Sequence, residues 1–167
     1  MNLVKMYTKV YEKPMNVRVL KLFSRFCEAL FATVFAGILY KAYAVSLNLA
    51  IAFGGLSFLS FIIVSVVRRA INAPRPADLF DELYFLKCEK SSPAFPSRHT
   101  FSASLIATLA LYFSPVFGTA FLIAALLLGV SRILLGRHFP RDVICGWLLG
   151  TLSGALVLLF SYNIITV

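Results

Sequence analysis

AYAVSLNLAIAFGGLSFLSFIIVSVV, residues 42–67, runs for 26 positions without a charged side chain. A hydrocarbon core about 30 Å thick is crossed by about 20 helical residues, so this stretch alone is long and apolar enough to span a bilayer. Gly54-Gly55 inside it marks a place where a second helix can approach closely. On its N-terminal side a further apolar segment runs from about Phe26 to Tyr40, interrupted by Glu28, and Lys41 marks a turn. On its C-terminal side charge vanishes from Thr100 to Ser131, where Ser114-Pro115 divides the run into two helices, and again from Val143 to Val167. The pattern predicts spans at about 26–46, 47–67, 97–113, 115–134 and 141–162. The fold class is therefore all-α: an integral membrane helix bundle of about five transmembrane helices with an N-terminal interfacial helix.

Composition agrees. Of 167 residues, 60% are hydrophobic and 14% charged, against about 25% charged in soluble domains. The spans leave little chain for a separate soluble domain. Ala42-x-Ala44 after the first apolar segment resembles a signal-peptide cleavage site, but the basic region before it is long and more spans follow, so the segment reads as a membrane helix.

The charge balance needs its own account: 16 Lys and Arg against 7 Asp and Glu, net +9. Such an excess suits nucleic acid, an anionic membrane surface or an anionic substrate, and placement decides among them. Six cations, Lys5, Lys9, Lys13, Arg18, Lys21 and Arg25, lie in residues 1–25. After Pro14, a helix sets Arg18, Lys21 and Arg25 on one face and Val19, Leu20, Phe23 and Phe26 on the other, as a helix lying among headgroups does. The expected organisation is a basic amphipathic segment, 1–25, and a membrane-embedded domain, 26–167. Beyond residue 91 the charged residues are Arg98, Arg132, Arg137, Arg141 and Asp142, at two short breaks in apolar sequence. Nucleic acid is not needed to explain the balance. Cys27, Cys88 and Cys145 form no C-x-x-C pair and read as packing residues or free thiols.

The predicted threading brings the N-terminus, the 68–98 loop and the 132–141 break to one membrane surface. The chain's two histidines, His99 and His138, each sit in a charged break beside arginines. Arginines at membrane depth are costly unless they meet an anion, and a guanidinium fork matches a tetrahedral oxyanion. Arg68, Arg75, Arg98, Arg132, Arg137 and Arg141 are the candidates, with Arg69, Arg137 and Arg141 better read as cations that snorkel to headgroups. Pro96-Ser97-Arg98-His99 opens a helix whose free N–H groups and dipole favour an anion, and Ser97 adds a hydroxyl; helix capping by Ser97 is the plainer alternative. Pro140 begins the last helix, leaving His138 just outside it and Asp142 in its first turn. There the carboxylate can orient one imidazole nitrogen so that the other is free to attack.

Arg68, six residues, then Arg75-Pro76; Pro96-Ser97-Arg98-His99; and Ser131-Arg132, five residues, then His138, three residues, then Asp142 resemble the three signature motifs of the type 2 phosphatidic acid phosphatases. These are membrane lipid phosphatases related to the vanadium-dependent haloperoxidases. The motifs lie at 68–76, 96–99 and 131–142, in order and correctly spaced. Two positions depart from the family pattern: Arg68 stands where Lys is usual, and Arg98 where Gly is usual.

The resemblance implies that His138 attacks phosphorus to form a phosphohistidine, oriented by Asp142, and that His99 protonates the leaving oxygen and then activates water. Arg68, Arg75 and Arg132, with Ser97, Arg98 and the backbone N–H groups at 97–99, would hold the phosphate oxygens, without cofactor or metal. The substrate class is a lipid phosphomonoester or pyrophosphate: polyprenyl pyrophosphate, phosphatidic acid, phosphatidylglycerol phosphate or a lipid A phosphate. A soluble haloperoxidase is disfavoured, since that branch is much larger. A non-catalytic lipid-binding or transport protein of the same fold is the alternative. The leader's cations predict a cytoplasmic site, whereas the resemblance implies the outer face, here of a bacterial inner membrane, and the outer face is the reading adopted.

Overall fold

In the computed structural model, residues 3–79 and 93–165 are described. They form α1 (Leu3–Tyr11), α2 (Pro14–Val45), α3 (Leu47–Ile71), the short α4 (Pro76–Leu79), α5 (Arg98–Phe113), α6 (Pro115–Leu134) and α7 (Pro140–Ile165). Cys88 and the acidic residues Asp81, Glu82 and Glu89 lie outside the described residues; Cys27 and Cys145 are free thiols.

Helices α2, α3, α6 and α7 are long and apolar enough to cross a membrane. Their outward surfaces carry large apolar side chains, among them Phe58, Val116 and Phe160, each more than half exposed. In water such a surface would aggregate, and in a bilayer it meets lipid. α5, the fifth expected span, has 16 residues and is about 24 Å long. It forms the middle of the bundle, with most of Thr100–Ala110 buried.

The first segment differs from expectation. α2 runs unbroken for 32 residues through both the basic amphipathic stretch and the first apolar stretch. Pro14 opens it, and no breaker interrupts it before Ser46. Lys41 therefore marks no turn: it lies within α2, its ammonium 5.8 Å from the centroid of the Phe113 ring. The turn falls at Ser46, whose Oγ accepts the Leu49 N–H at 3.1 Å and caps α3. Ser114 caps α6 in the same way, accepting the Phe117 N–H. These two turns share one end of the bundle with Lys41, and the three motif regions share the other.

The close helix contact is not at Gly54-Gly55. A Cβ on Gly54 would meet only Leu39 at an ordinary 3.6 Å, and one on Gly55 would meet nothing within 4 Å. It lies instead between α5 and α7, along Gly146, Gly150 and Gly154, four residues apart on one face. A Cβ on Gly146 would stand 2.6 Å from the Ser97 carbonyl oxygen, and one on Gly150 2.2 Å from that of Phe101. Small residues of α5, Ser104 opposite Gly150 and Thr108 opposite Gly154, complete the seam. Gly150→Ala is expected to force the helices apart and cost about 1–3 kcal/mol, read as a lowered Tm in detergent. Gly55→Ala, facing open space, should melt no lower than wild type. Equal Tm values for all three proteins would refute the tight seam.

Candidate active site

The three motifs are fastened by backbone before any side chain acts. Arg68, 5% exposed at the end of α3, donates from Nη1 to the carbonyls of Ala94 (3.0 Å) and Pro96 (2.6 Å). It thereby staples the first motif to the segment entering α5, and Nε and Nη2 retain three further N–H donors. Ser97 donates its amide N–H to the Asp142 carbonyl at 3.0 Å, tying the second motif to the third. The Ser97 hydroxyl shares a 3.0 Å hydrogen bond with that of Thr100, and the residue is fully buried. The capping alternative for Ser97 is thus corrected: it makes no side-chain cap. The first bond within α5 runs from the Phe101 N–H to the Ser97 carbonyl, so the amides of residues 98–100 precede it.

α6 ends in a left-handed turn at Gly136 (φ 67°). The Gly136 N–H donates to Ile133 and the Arg137 N–H to Arg132, the paired bonds that close a helix through a C-terminal glycine. The chain therefore reverses immediately before His138. Pro140 starts α7, and Asp142, in its first turn, accepts the Phe139 N–H on Oδ2 at 2.8 Å. This reach back from the third helical position satisfies an amide that would otherwise be orphaned.

His138 is 3% exposed and Asp142 fully buried. Nδ1 of His138 lies 3.7 Å from Asp142 Oδ2, longer than a hydrogen bond, and Nδ1 and Asp142 Oδ1 have no hydrogen-bond partner among the described residues. The arrangement directs Nδ1 to the carboxylate and leaves Nε2 as the nitrogen available for chemistry. Burial holds the proton affinity of His138 below that of an ordinary imidazole; Arg68 and Arg75 add to this, and Asp142 opposes it. α1 closes this end of the bundle. Tyr11 donates its hydroxyl to the Leu135 carbonyl at 3.2 Å, and Tyr7 is fully buried. Burial, then the charge of Asp142, push the Tyr7 phenol up to about 12.

His99, by contrast, is 41% exposed. With Arg132, Arg137 and three residues of α2, Lys21, Arg25 and Glu28, it lines a polar cavity of about 260 Å³. Arg137, read from sequence as a snorkelling cation, is thus part of the site; Arg141 is exposed and lies over the Phe139 ring. His138 does not line this cavity; its neighbour Arg137 does. Arg98 faces a second, largely apolar cavity of about 340 Å³, walled by Phe31, Phe61, Ile106 and Leu128, with Glu28 and His99 at its polar end. A further apolar hollow of about 220 Å³ shares Phe61, Ser102 and Ile106 with it. A groove between α2, α3 and α5 thus leads to the polar cavity.

The residue missed in sequence is Glu28. Its carboxylate pairs with Arg132, itself 4% exposed, and lies 3.7 Å from His99 Nε2. Its one signal was a lone acid in an apolar helix. Arg75 lies in a tight turn, its N–H donating to Asp78 Oδ2 at 3.0 Å. Among the described residues no group of three His, Cys, Asp or Glu could hold a metal ion.

The family model described as the PAP2 superfamily matches residues 43–165. An undecaprenyl-diphosphatase of Sulfolobus acidocaldarius is 34% identical over 101 residues, 58% of this chain and 48% of that protein. A lipid A 1-phosphatase of Rhizobium etli is 35% identical over 96 residues, 54% of this chain and 41% of that protein. The chain spans about half the length of the curated relatives it matches or less. Among solved structures, the first transmembrane PAP2 type phosphatidylglycerolphosphate phosphatase, from Bacillus subtilis, superposes with a TM-score of 0.70 at 22% identity, covering 97% of this chain and 85% of that one.

Proposed function

The chain belongs to the PAP2 superfamily and is an integral membrane protein, and from that membership we propose that it hydrolyses the phosphomonoester or pyrophosphate of a lipid. The observation that carries this reading is the polar cavity lined by His99, Arg132 and Arg137 and joined, at Glu28 and His99, to an apolar groove open between α2, α3 and α5. A headgroup phosphate fits the first and a chain the second, so a lipid can approach sideways from its own leaflet. The relatives named for a polyprenyl diphosphate and for a lipid A phosphate support this class of substrate.

In the proposed reaction His138 Nε2 attacks phosphorus, an N–P bond forms as the P–O bond to the lipid breaks, and His99 delivers its proton to the leaving oxygen. Water then gives a proton to His99 as its oxygen bonds to phosphorus and the N–P bond breaks, which releases phosphate and restores neutral His138. Arg68, Arg75 and Arg132 neutralise the phosphate oxygens, and the first-turn amides of α5 add donors. Ser97 acts by fastening the second motif to the third, and Arg98 by flanking the groove. We assign the site to the outer face of a bacterial inner membrane, following the family resemblance. Accessibility of cysteines placed at Lys41 and Asp78, in a chain freed of its native cysteines, tests that side.

The purified full chain should release phosphate from at least one of polyprenyl pyrophosphate, phosphatidic acid, phosphatidylglycerol phosphate and lipid A, with inhibition by vanadate and none by a metal chelator. Release from none of them, or equal rates on water-soluble phosphates, overturns the reading. Because His138 must be neutral to attack and its proton affinity is lowered, the acid limb of kcat/KM should lie below pH 6.5, the ordinary imidazole value, and a separate alkaline limb should mark loss of the His99 proton. Arg75→Gln removes one of the charges that lower it and should move that acid limb upward. An acid limb at or above pH 6.5 in wild type contradicts the assignment.

A further inference from the structure

Arg132 is almost completely buried in the last turn of α6, and its guanidinium is held by Glu28 from α2. A buried arginine needs an anion, and the carboxylate supplies one. Arg132 is also a cation that the proposed function gives to phosphate. Glu28 and the substrate phosphate therefore compete for the same donor, and Glu28 stands where the polar cavity and the apolar groove meet.

We propose that Glu28 is a specificity-determining residue: an internal anion that occupies the phosphate locus at Arg132 and must be displaced before any phosphate can bind there. When displaced, the carboxylate remains within reach of cations lining the same cavity, Arg25 one turn away on its own helix and Lys21 beyond it, and of His99. A phosphate without a tail brings only the interactions that Glu28 already makes, and gains little by the exchange. A lipid phosphate brings in addition the burial of its chain against Phe31, Phe61 and Ile106, and that remote binding energy drives the exchange. After hydrolysis the tail leaves, the carboxylate returns to Arg132, and inorganic phosphate is expelled. Glu28 thus selects against water-soluble phosphates and against product inhibition.

This inference rests on the lipid phosphatase reading, but its test does not need turnover. Orthophosphate and orthovanadate are titrated calorimetrically into the full chain in detergent. Glu28→Gln keeps the shape of the side chain and removes its charge, and should bind both about tenfold more tightly, or about 1.4 kcal/mol. Glu28→Ala should do the same and serves if the first variant does not melt cooperatively. In an Arg132→Gln background the gain from Glu28→Gln should disappear, because the contested donor is gone. With the most active lipid of the panel, Glu28→Gln should lower KM and leave kcat unchanged, since the bound ground state and the transition state gain alike, and inorganic phosphate should become a stronger product inhibitor. Unchanged anion affinity in both charge-removed variants, or a gain that persists undiminished without Arg132, overturns the proposal. A chain that hydrolyses no lipid phosphate yet shows the expected titrations would sink the functional reading alone.

Discussion

Replacing His138 with alanine is expected to lower phosphate release from lipid substrates by roughly ten-thousand- to million-fold, the scale on which enzymes lose rate when a covalent nucleophile is removed. The size follows from the site. Among the described residues the chain has one other imidazole, His99, to which the proposed mechanism gives proton transfer, and it faces Glu28 rather than Asp142. Arginines left in place would still bind phosphate, so vanadate affinity should change far less than kcat. The substitution also removes a nearly buried ring and leaves a small void, so melting must be followed alongside rate. A variant that stays folded and releases phosphate as fast as wild type refutes the covalent mechanism.

Asp142→Asn is expected to lower kcat by roughly a thousand- to ten-thousand-fold, by analogy with the carboxylate that orients a catalytic histidine elsewhere. Asp142 Oδ2 performs two tasks, accepting the Phe139 N–H and facing His138 Nδ1. The one oxygen of asparagine at that position keeps the helix cap but loses the charge that supports the ring as it bonds to phosphorus. The opposite orientation sets an NH2 group against both the Phe139 N–H and an Nδ1–H, donor against donor. Either way, rate falls more than stability, whose loss is bounded by a cap's worth of about 1 kcal/mol. Activity within tenfold of wild type would show that Asp142 does no more than cap α7.

The site was legible where chemistry imposes spacing along one chain. Arg68 with Arg75, Pro96 to His99, and Arg132 with His138 and Asp142 are short-range patterns, and the charge-free runs beside them located α3, α6 and α7 closely. Glu28 was not legible, because its partners Arg132 and His99 are joined to it only by packing. The inward turn of Ser97 depends on a carbonyl 45 residues away along the sequence, that of Asp142. Lys41 was misread because a charge in apolar sequence resembles a helix end, whereas a long side chain within a helix can lie along an aromatic ring and reach the surface. The spacing of Gly146, Gly150 and Gly154 was readable, but Gly54-Gly55 offered a competing signal. Only the facing surface of α5 decides between them.

The length of α2 has a consequence for where the reaction takes place. From Arg25 to Lys41 the helix rises about 24 Å, somewhat less than the hydrocarbon thickness of a bilayer, so these two cations bracket the oily layer between them. Glu28 lies less than one turn inside that bracket, and the polar cavity reaches from it outward past Arg25 to Lys21. α2 is therefore a depth gauge, setting the floor of the cavity at the level where a lipid already carries its phosphorus and where water is at hand. On the proposed function nothing has to be lifted from the membrane: a lipid phosphate would slide in sideways at its own height, and the cleaved lipid would slide away again.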